Sequence, residues 1–120
     1  MKTGRKISGG KYHKARKKKK YERDRQPRVV KLGKEKKKKV RIMGGKFKTV
    51  LLTTDIANVF SKKTGKSEKL KIKNVLETPA NKFLARQNVL MKSSIIETDK
   101  GKARITNRPS QEGCVQAVLI

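Results

Sequence analysis

The chain has 120 residues, with 35 Lys and Arg against 9 Asp and Glu, so its formal net charge is +26. A charge surplus of this size opposes compaction unless an anionic partner neutralises it, which predicts nucleic acid first and an anionic membrane second. One cysteine, Cys114, excludes an intramolecular disulfide, and a single distant histidine, His13, gives no zinc-binding pattern. We therefore expect one domain with a tail, no metal and no cofactor.

The first 28 residues are predicted to form an extended basic N-terminal arm. Residues 1–48 hold 22 basic and 3 acidic side chains, a net charge of +19, whereas the rest of the chain carries only +7. The arm has almost no apolar surface to bury, so folding on itself would not offset its ordering entropy, whereas a polyanion could order it. The predicted organisation is a basic RNA-binding extension over 1–28 and a β body over 29–120.

The body shows a period-two pattern from Val29 onward, which is typical of strands. We predict a hairpin over 38–53 with its turn at Gly44-Gly45-Lys46. Further strands are predicted at 55–60, 69–73 (with a bulge or strand end at Val75-Leu76), 89–98 (with a break at Ser93-Ser94), 102–106 and 114–120, with one helical turn at 82–86 and a loop at 108–113. Short strands about every ten residues indicate an all-β fold, and closing the sheet removes exposed edges. The expected fold is a small antiparallel β-barrel of about six strands carrying the arm.

The cations of the arm are predicted to contact nucleic acid. Lysines act as point charges for phosphate, and arginines bind phosphate in a bidentate manner or stack on bases. Tyrosine and histidine rings stack on unpaired RNA bases, while glycines let the backbone approach a phosphate. The candidate residues of the arm are Arg5, Lys6, Ser8, Gly9, Gly10, Lys11, Tyr12, His13, Lys14, Arg16, Lys17, Lys18, Lys19, Lys20, Tyr21, Arg23, Arg25 and Arg28. Judged on residues alone, the arm could also be a solvated tail or a nuclear localisation signal, and Gly9-Gly10 a flexible joint.

The body adds five candidate contacts, namely Lys36, Lys37, Lys38, Arg86 and Arg108. Arg86 and Arg108 lie in polar segments that could equally be ordinary turns with a surface arginine. No catalytic site is expected, because no carboxylate lies near His13 to orient it and Cys114 begins an apolar strand. No small-molecule substrate is predicted. The sequence has no apolar run of about 18 residues and no secretory leader, so we expect a cytoplasmic protein without a membrane partner.

The N-terminal motif resembles that of one family, small-subunit ribosomal protein eight of the archaeal and eukaryotic type. The matching residues are Arg5-Lys6-Ile7-Ser8-Gly9-Gly10, followed by Arg16, Lys18, Lys20 and Glu22. Later blocks at 55–59, 79–81 with 85–86, 95–98, 108–109 and 115–119 also resemble the family and keep its order. The chain departs from the family pattern at Arg23-Asp24, Ser110 and Glu112, and its compact length is similar to the archaeal form.

The resemblance implies that an all-β body and the basic extension both bind small-subunit ribosomal RNA. It also implies neighbouring small-subunit ribosomal proteins as partners, a location in the cytoplasmic ribosome, and RNA contacts at Gly9-Gly10, Arg86 and Arg108. Charge alone leaves an alternative open, which is a stand-alone nucleic-acid chaperone or DNA-compacting protein. A binder of anionic membranes is less favoured, because no amphipathic helix with a bulky apolar face is predicted.

Overall fold

A computed structural model describes residues 4–13, 16–24 and 27–120 of the chain. These residues form eight strands, two short α-helices and two single 3-10 turns, at Lys20–Glu22 and Met43–Gly45. In chain order the strands and helices are β1 (Lys31–Leu32), β2 (Lys36–Arg41), β3 (Phe47–Thr54), β4 (Ile56–Phe60), β5 (Ser67–Glu77), α1 (Lys82–Arg86), β6 (Ile95–Thr98), β7 (Gly101–Ile105), α2 (Pro109–Glu112) and β8 (Gln116–Leu119). The all-β character predicted from the sequence is confirmed.

Five of the strands close into a barrel in the order β4-β5-β6-β7-β8. Neighbouring strands run antiparallel except β4 and β8, which pair in parallel with Asn58 opposite Gln116. Strand directions cannot alternate around a closed ring with an odd number of strands, so one neighbouring pair has to be parallel. The predicted barrel is therefore confirmed, but it has five strands rather than about six and is not antiparallel throughout.

The predicted hairpin over 38–53 is confirmed as β2 and β3, but these strands belong to a second sheet outside the barrel. This sheet has the order β1-β3-β2, and β1 pairs with β3 in parallel. The turn contains Gly44 and Gly45 at φ 69° and 72°, where a residue with a side chain would be strained. Only Asp55 separates β3 from β4, so the hairpin continues directly into the barrel.

Two predicted segments differ in the structure. Of the segment predicted over 89–98, only Ile95–Thr98 is a strand, and the break predicted at Ser93-Ser94 is confirmed, since Ser93 adopts φ 69° and the buried Ser94 hydroxyl lies 3.2 Å from the Thr78 hydroxyl. The loop expected over 108–113 contains a helix, α2, with Pro109 in its first turn. The irregularity predicted near Val75 is confirmed, since the register of β5 against β6 shifts on both sides of this residue.

The core lies inside the barrel and extends to the neighbouring sheet. Strand alternation creates it: β4 buries Ala57 and Val59, whereas lysines alternate with apolar residues along β5 and remain outside. The cluster of buried apolar residues is Val30, Leu51, Ala57, Val59, Ile72, Val75, Leu90, Ile96, Ala103, Ile105, Val115 and Ala117. A five-stranded ring is narrow, and its three buried alanines reduce the volume that has to fit inside it.

Replacing Ile96 with alanine is expected to destabilise the protein by about 2–5 kcal/mol, because this fully buried side chain would leave a cavity. Ile56→Ala is the matched control, since the same atoms are removed from a side chain that is 43% exposed. Urea unfolding followed by circular dichroism measures both losses. Equal losses in the two variants would contradict the assignment of the core.

Candidate nucleic-acid interface

The arm lies outside the packed body. All of its residues in the ranges 4–13, 16–24 and 27–28 are exposed except Glu22, which is partly buried, and the first fully buried residue of the chain is Val30. The radius of gyration is 21.6 Å, against about 14 Å for a compact domain of this length. The arm therefore presents its charges to solvent over its described length, and the boundary after residue 28 stays a prediction.

The segment around Ser8 forms a tight turn. The amide of Gly9 donates to the Lys6 carbonyl at 2.9 Å, the Lys6 amide donates to the Gly10 carbonyl at 2.8 Å, and Arg5 forms an isolated bridge with Lys11. Gly9 has φ 78°, so the conformation suits glycine at this position. The turn brings Arg5, Lys6 and Lys11 together as one cluster of cations.

A second turn in the arm is closed by an ion pair between Arg16 and Glu22. Arg16 donates to both carboxylate oxygens of Glu22, at 2.5 and 2.9 Å, and the Lys19 amide donates to the same carboxylate at 2.9 Å. These bonds, first from Arg16 and then from the Lys19 backbone, hold the pKa of Glu22 below its ordinary value. Arg16 is thus engaged within the chain, whereas the lysines from Lys17 to Lys20 are exposed around the turn.

Both tyrosines of the arm are accessible and lie near cations. Tyr12 is 42% exposed with Lys6 Nζ at 5.8 Å from its ring centroid, and Tyr21 is 78% exposed with Lys19 Nζ at 5.9 Å. Such rings can stack on bases while the adjacent ammonium groups meet phosphates. The remaining arm candidates His13, Arg23 and Arg28 are exposed, whereas Lys14 and Arg25 lie outside the described residues.

The hairpin of β2 and β3 is a second cationic surface. The predicted contacts Lys36, Lys37 and Lys38 are exposed on β2, and Lys37 lies 2.6 Å from the Glu35 carboxylate. Sequence reasoning missed further exposed residues on the same hairpin, namely Arg41, Lys46, Lys48, Met43 and Phe47. Arg41, Lys46 and Lys48 could have been predicted from the sequence, because basic residues continue from β2 through the predicted turn. An exposed aromatic ring among these cations gives the hairpin tip the same chemistry as the arm.

Arg108 is positioned by a network of hydrogen bonds around Asn107. The buried Asn107 side chain donates to Glu112 Oε2 at 3.0 Å and to the Cys114 carbonyl at 2.9 Å, and it accepts from the Gln116 amide at 3.1 Å. The Arg108 amide donates to Glu112 Oε1 at 3.2 Å. The bond from Asn107, followed by that from the Arg108 backbone, lowers the pKa of Glu112. Arg108 directly precedes α2, and α2 packs against β3, which is one strand of the cationic hairpin.

Arg86 lies at a different place, at the end of α1. This helix begins at Asn81, whose Oδ1 accepts from the Phe83 amide at 2.9 Å. Arg86 and Lys82 are four residues apart and therefore share a face of α1, and both line an open groove of about 780 Å³ beside β5. The structure thus groups Arg108 with the hairpin and Arg86 with this separate groove.

Within residues 4–13, 16–24 and 27–120, no cluster of three or more His, Cys, Asp or Glu side chains is arranged to hold a metal ion. None of the helices in that part of the chain is long and apolar enough to cross a membrane.

The fold and these surfaces define a small basic β-barrel protein with an extended cationic arm. The model of the family "Ribosomal protein S8e" matches residues 1–120, and the chain belongs to this family. The resemblance noted in the sequence is thereby confirmed.

Several archaeal proteins are similar to the chain over nearly its whole length, and each is named "Small ribosomal subunit protein eS8". The protein of Methanocorpusculum labreanum is 44% identical over 119 residues, which are 99% of this chain and 95% of the relative. That of Methanocella arvoryzae is 43% identical with the same coverage of both chains. That of Nanoarchaeum equitans is 42% identical, covering 95% of this chain and 90% of the relative.

Replacing Glu112 with glutamine is expected to destabilise the body at neutral pH. The folded state lowers the pKa of this carboxyl below its ordinary value of 4.5, so its stabilisation is present above that value and is lost as the pH falls through the lowered one. The wild-type protein and Glu112→Gln should therefore differ in melting temperature at pH 7, and the difference should disappear once the pH has fallen below the lowered pKa. Glu97→Gln is the control, because the exposed Glu97 carboxylate accepts no hydrogen bond among the described residues. A difference between the wild type and Glu112→Gln that is independent of pH would contradict the role of the carboxylate.

Proposed function

We propose that this chain is a structural component of the small ribosomal subunit, which binds and stabilises small-subunit ribosomal RNA through its arm and its β body. The observation that carries the proposal is a cationic, solvent-exposed arm on a chain of the S8e family. Relatives above 40% identity are named as small ribosomal subunit proteins, which supports the same assembly for this chain. Its partners would then be the RNA and adjacent proteins of that subunit, in the cytoplasm.

The arm supplies the long-range part of the binding. RNA helices are recognised mainly through their backbone and shape, so clusters of Lys and Arg suffice to position the protein. At about 3.3 Å per residue, a stretched arm of 28 residues reaches roughly 90 Å, enough to thread between RNA helices. Exposure of its described side chains supports this role, because no internal packing has to be broken before the arm binds.

The two turns of the arm give it a defined local chemistry. The turn at Gly9 gathers three cations, and the Arg16–Glu22 pair holds a loop from which Lys17, Lys18 and Lys20 project. The exposed rings of Tyr12 and Tyr21 can stack on bases that are splayed out of single-stranded RNA. Neutralisation of phosphates would provide most of the affinity, and stacking would fix the position of the arm along the RNA.

The body provides a rigid platform of the same charge. The hairpin is lined with exposed cations, and Arg86 lies in a separate groove beside β5, so the body offers RNA more than one cationic contact. In this role the protein acts by binding, without catalysis or a small-molecule substrate. Family membership favours this function over that of a DNA-compacting protein, for which charge is the sole support.

Co-sedimentation with small subunits tests the proposal directly. A tagged full-length chain should migrate with the small subunit through a sucrose gradient at moderate salt. Recovery only in the free pool, or with bulk genomic DNA after nuclease treatment of RNA, would contradict the proposal.

RNA affinity of the full chain is expected to fall steeply with salt. If about 6–10 phosphates are neutralised, binding to small-subunit ribosomal RNA should weaken about 10³–10⁵-fold between 50 and 200 mM salt. The triple variant Lys17→Gln, Lys18→Gln and Lys20→Gln should flatten this slope. The control variant Lys62→Gln, Lys63→Gln and Lys66→Gln removes the same charge from an exposed barrel loop. Equal slopes in the two variants would show that net charge, rather than the arm, determines binding.

Deleting residues 1–28 should reduce the slope further while the body stays folded. Val30 and the rest of the core are retained in this truncation, so circular dichroism should still report β structure. An unfolded truncation would refute the division into an arm and a self-sufficient body.

A further inference from the structure

We propose that the groove between α1 and the bulged part of β5 binds one unpaired nucleotide of RNA. In this arrangement Lys82 and Arg86 hold its phosphate, while the amides of Asn74 and Asn88 donate to the acceptor edge of its base. The inference rests on the proposed function and narrows it to a site.

A bulge in the barrel creates the groove. The register between β5 and β6 shifts once between Ile72 and Asn74 and again between Val75 and Glu77. Bulges bend a strand locally and turn its side chains away from the regular pleat. Together with α1, the bent strand encloses an open groove of about 780 Å³, within the range that small-molecule sites occupy and large enough for a nucleotide.

Two asparagine side chains are oriented on the groove by the same backbone group. The Val75 amide donates to Oδ1 of Asn74 at 2.9 Å and to Oδ1 of Asn88 at 3.3 Å. This shared N–H fixes which end of each amide faces the Val75 backbone, so each Nδ2, which carries two donor hydrogens, lies at the opposite end of the amide from that backbone contact. Neither Nδ2 has a protein partner among the described residues; Asn74 is an exposed residue, the partly buried Asn88 has no buried unsatisfied side-chain atom, and both residues line the groove.

The backbone of Asn88 is held in the left-handed region, at φ 53°, which asparagine tolerates better than most residues. Its amide donates to the Ala85 carbonyl and its carbonyl accepts from the Leu32 amide, both at 2.9 Å. One residue thus joins α1, β1 and the bulge of β5. A donor fixed in this way is preorganised, which lowers the entropic cost of binding a base.

The other wall of the groove is cationic. Lys82 and Arg86 are exposed, and neither forms an ion pair within the described part of the chain. Arginine can grip a phosphate through two N–H groups, and lysine adds a point charge. Glu77 also lines the groove, and its carboxylate would accept from an amino group of the base rather than approach the phosphate.

Apolar surface completes the match to a nucleotide. Leu76 is 37% exposed although it is a large aliphatic residue, and Pro79 lines the same groove. A base offers a flat apolar face, an acceptor edge and a linked phosphate, which are the features that this lining complements. The base has to be unpaired, because Watson–Crick pairing would occupy the edge that the asparagines address.

The double variant Asn74→Asp and Asn88→Asp tests the amide donors in the full chain. Aspartate retains an oxygen to accept from the Val75 amide and tolerates the left-handed backbone, but it replaces each donor with an acceptor. Affinity for small-subunit ribosomal RNA at fixed salt should fall about tenfold or more, since two hydrogen bonds become repulsive contacts.

The double variant Asn58→Asp and Thr64→Asp is the control, because it introduces the same charge at two exposed positions that do not line the groove and do not belong to α1. The control should bind RNA within about threefold of wild type, allowing for weak long-range repulsion. Equal weakening by the two double variants would overturn the proposal.

A measurement on the unaltered full-length protein decides the matter even if a variant fails to fold. Ribosomal RNA substituted with 4-thiouridine is bound to the protein, irradiated, and the crosslinked peptides are identified by mass spectrometry. Crosslinks from an unpaired nucleotide to residues 74–88 would support the site. Crosslinks confined to the arm and hairpin, or a neighbouring protein crosslinked to 74–88 in assembled subunits, would overturn it while leaving the proposed function intact. Absence of RNA binding by the wild-type chain would instead refute the proposed function itself.

Discussion

Electrostatic self-repulsion is the constraint on which the rest of this structure depends. Every Lys and Arg in the described ranges is exposed, including those on the barrel strands. The strands achieve this by alternation, which places lysines such as Lys69, Lys71 and Lys73 outside and apolar residues inside. The ion pairs among the described residues are themselves exposed and offset little of the charge, because surface pairs contribute at most about 1 kcal/mol each. The free protein therefore carries a strongly positive field over both the arm and the body.

Arm and body respond to this constraint in different ways. The body buries enough apolar surface to hold its charges on a rigid frame, with hydrogen bonds such as those of Asn107 fixing the elements that carry arginines. The arm has nothing comparable to bury, and its described residues form two short turns. The arm loses conformational entropy when it binds, whereas the body has already lost this entropy on folding. The two parts together can combine long reach with fixed geometry.

Local patterns made much of the fold predictable from the sequence. The alternation in β4, β5 and β7, the glycine turn of the hairpin and the helical turn of α1 all depend on neighbouring residues, and all were expected. The parallel closure of β4 on β8 was missed, because it follows from how many strands enter the ring, which no local pattern records. The placement of the hairpin in a second sheet was missed for a similar reason, since β1 has only two residues and pairs with β3 about 20 positions later.

The candidate site was predictable only in part, because a local pattern does not record which distant residues meet in the folded chain. Runs of cations are visible in a sequence, so the arm and much of the hairpin could be identified as charged surfaces. Arg86 and Arg108 were named as possible contacts because they lie in polar segments, and the resemblance to the family strengthened this interpretation. Asn74 and Asn88 gave no signal, because two asparagines 14 positions apart become neighbours only through a bulge and a left-handed turn.

The parallel pairing of β4 with β8 also has a consequence for biosynthesis. The ring cannot close until Gln116–Leu119 has left the translating ribosome, whereas the arm is synthesised before any of the strands. Until then β4 and β7 each have an unpaired edge, in a nascent chain whose cations are already available to any nearby polyanion. The nascent protein thus meets its electrostatic environment before its barrel has closed.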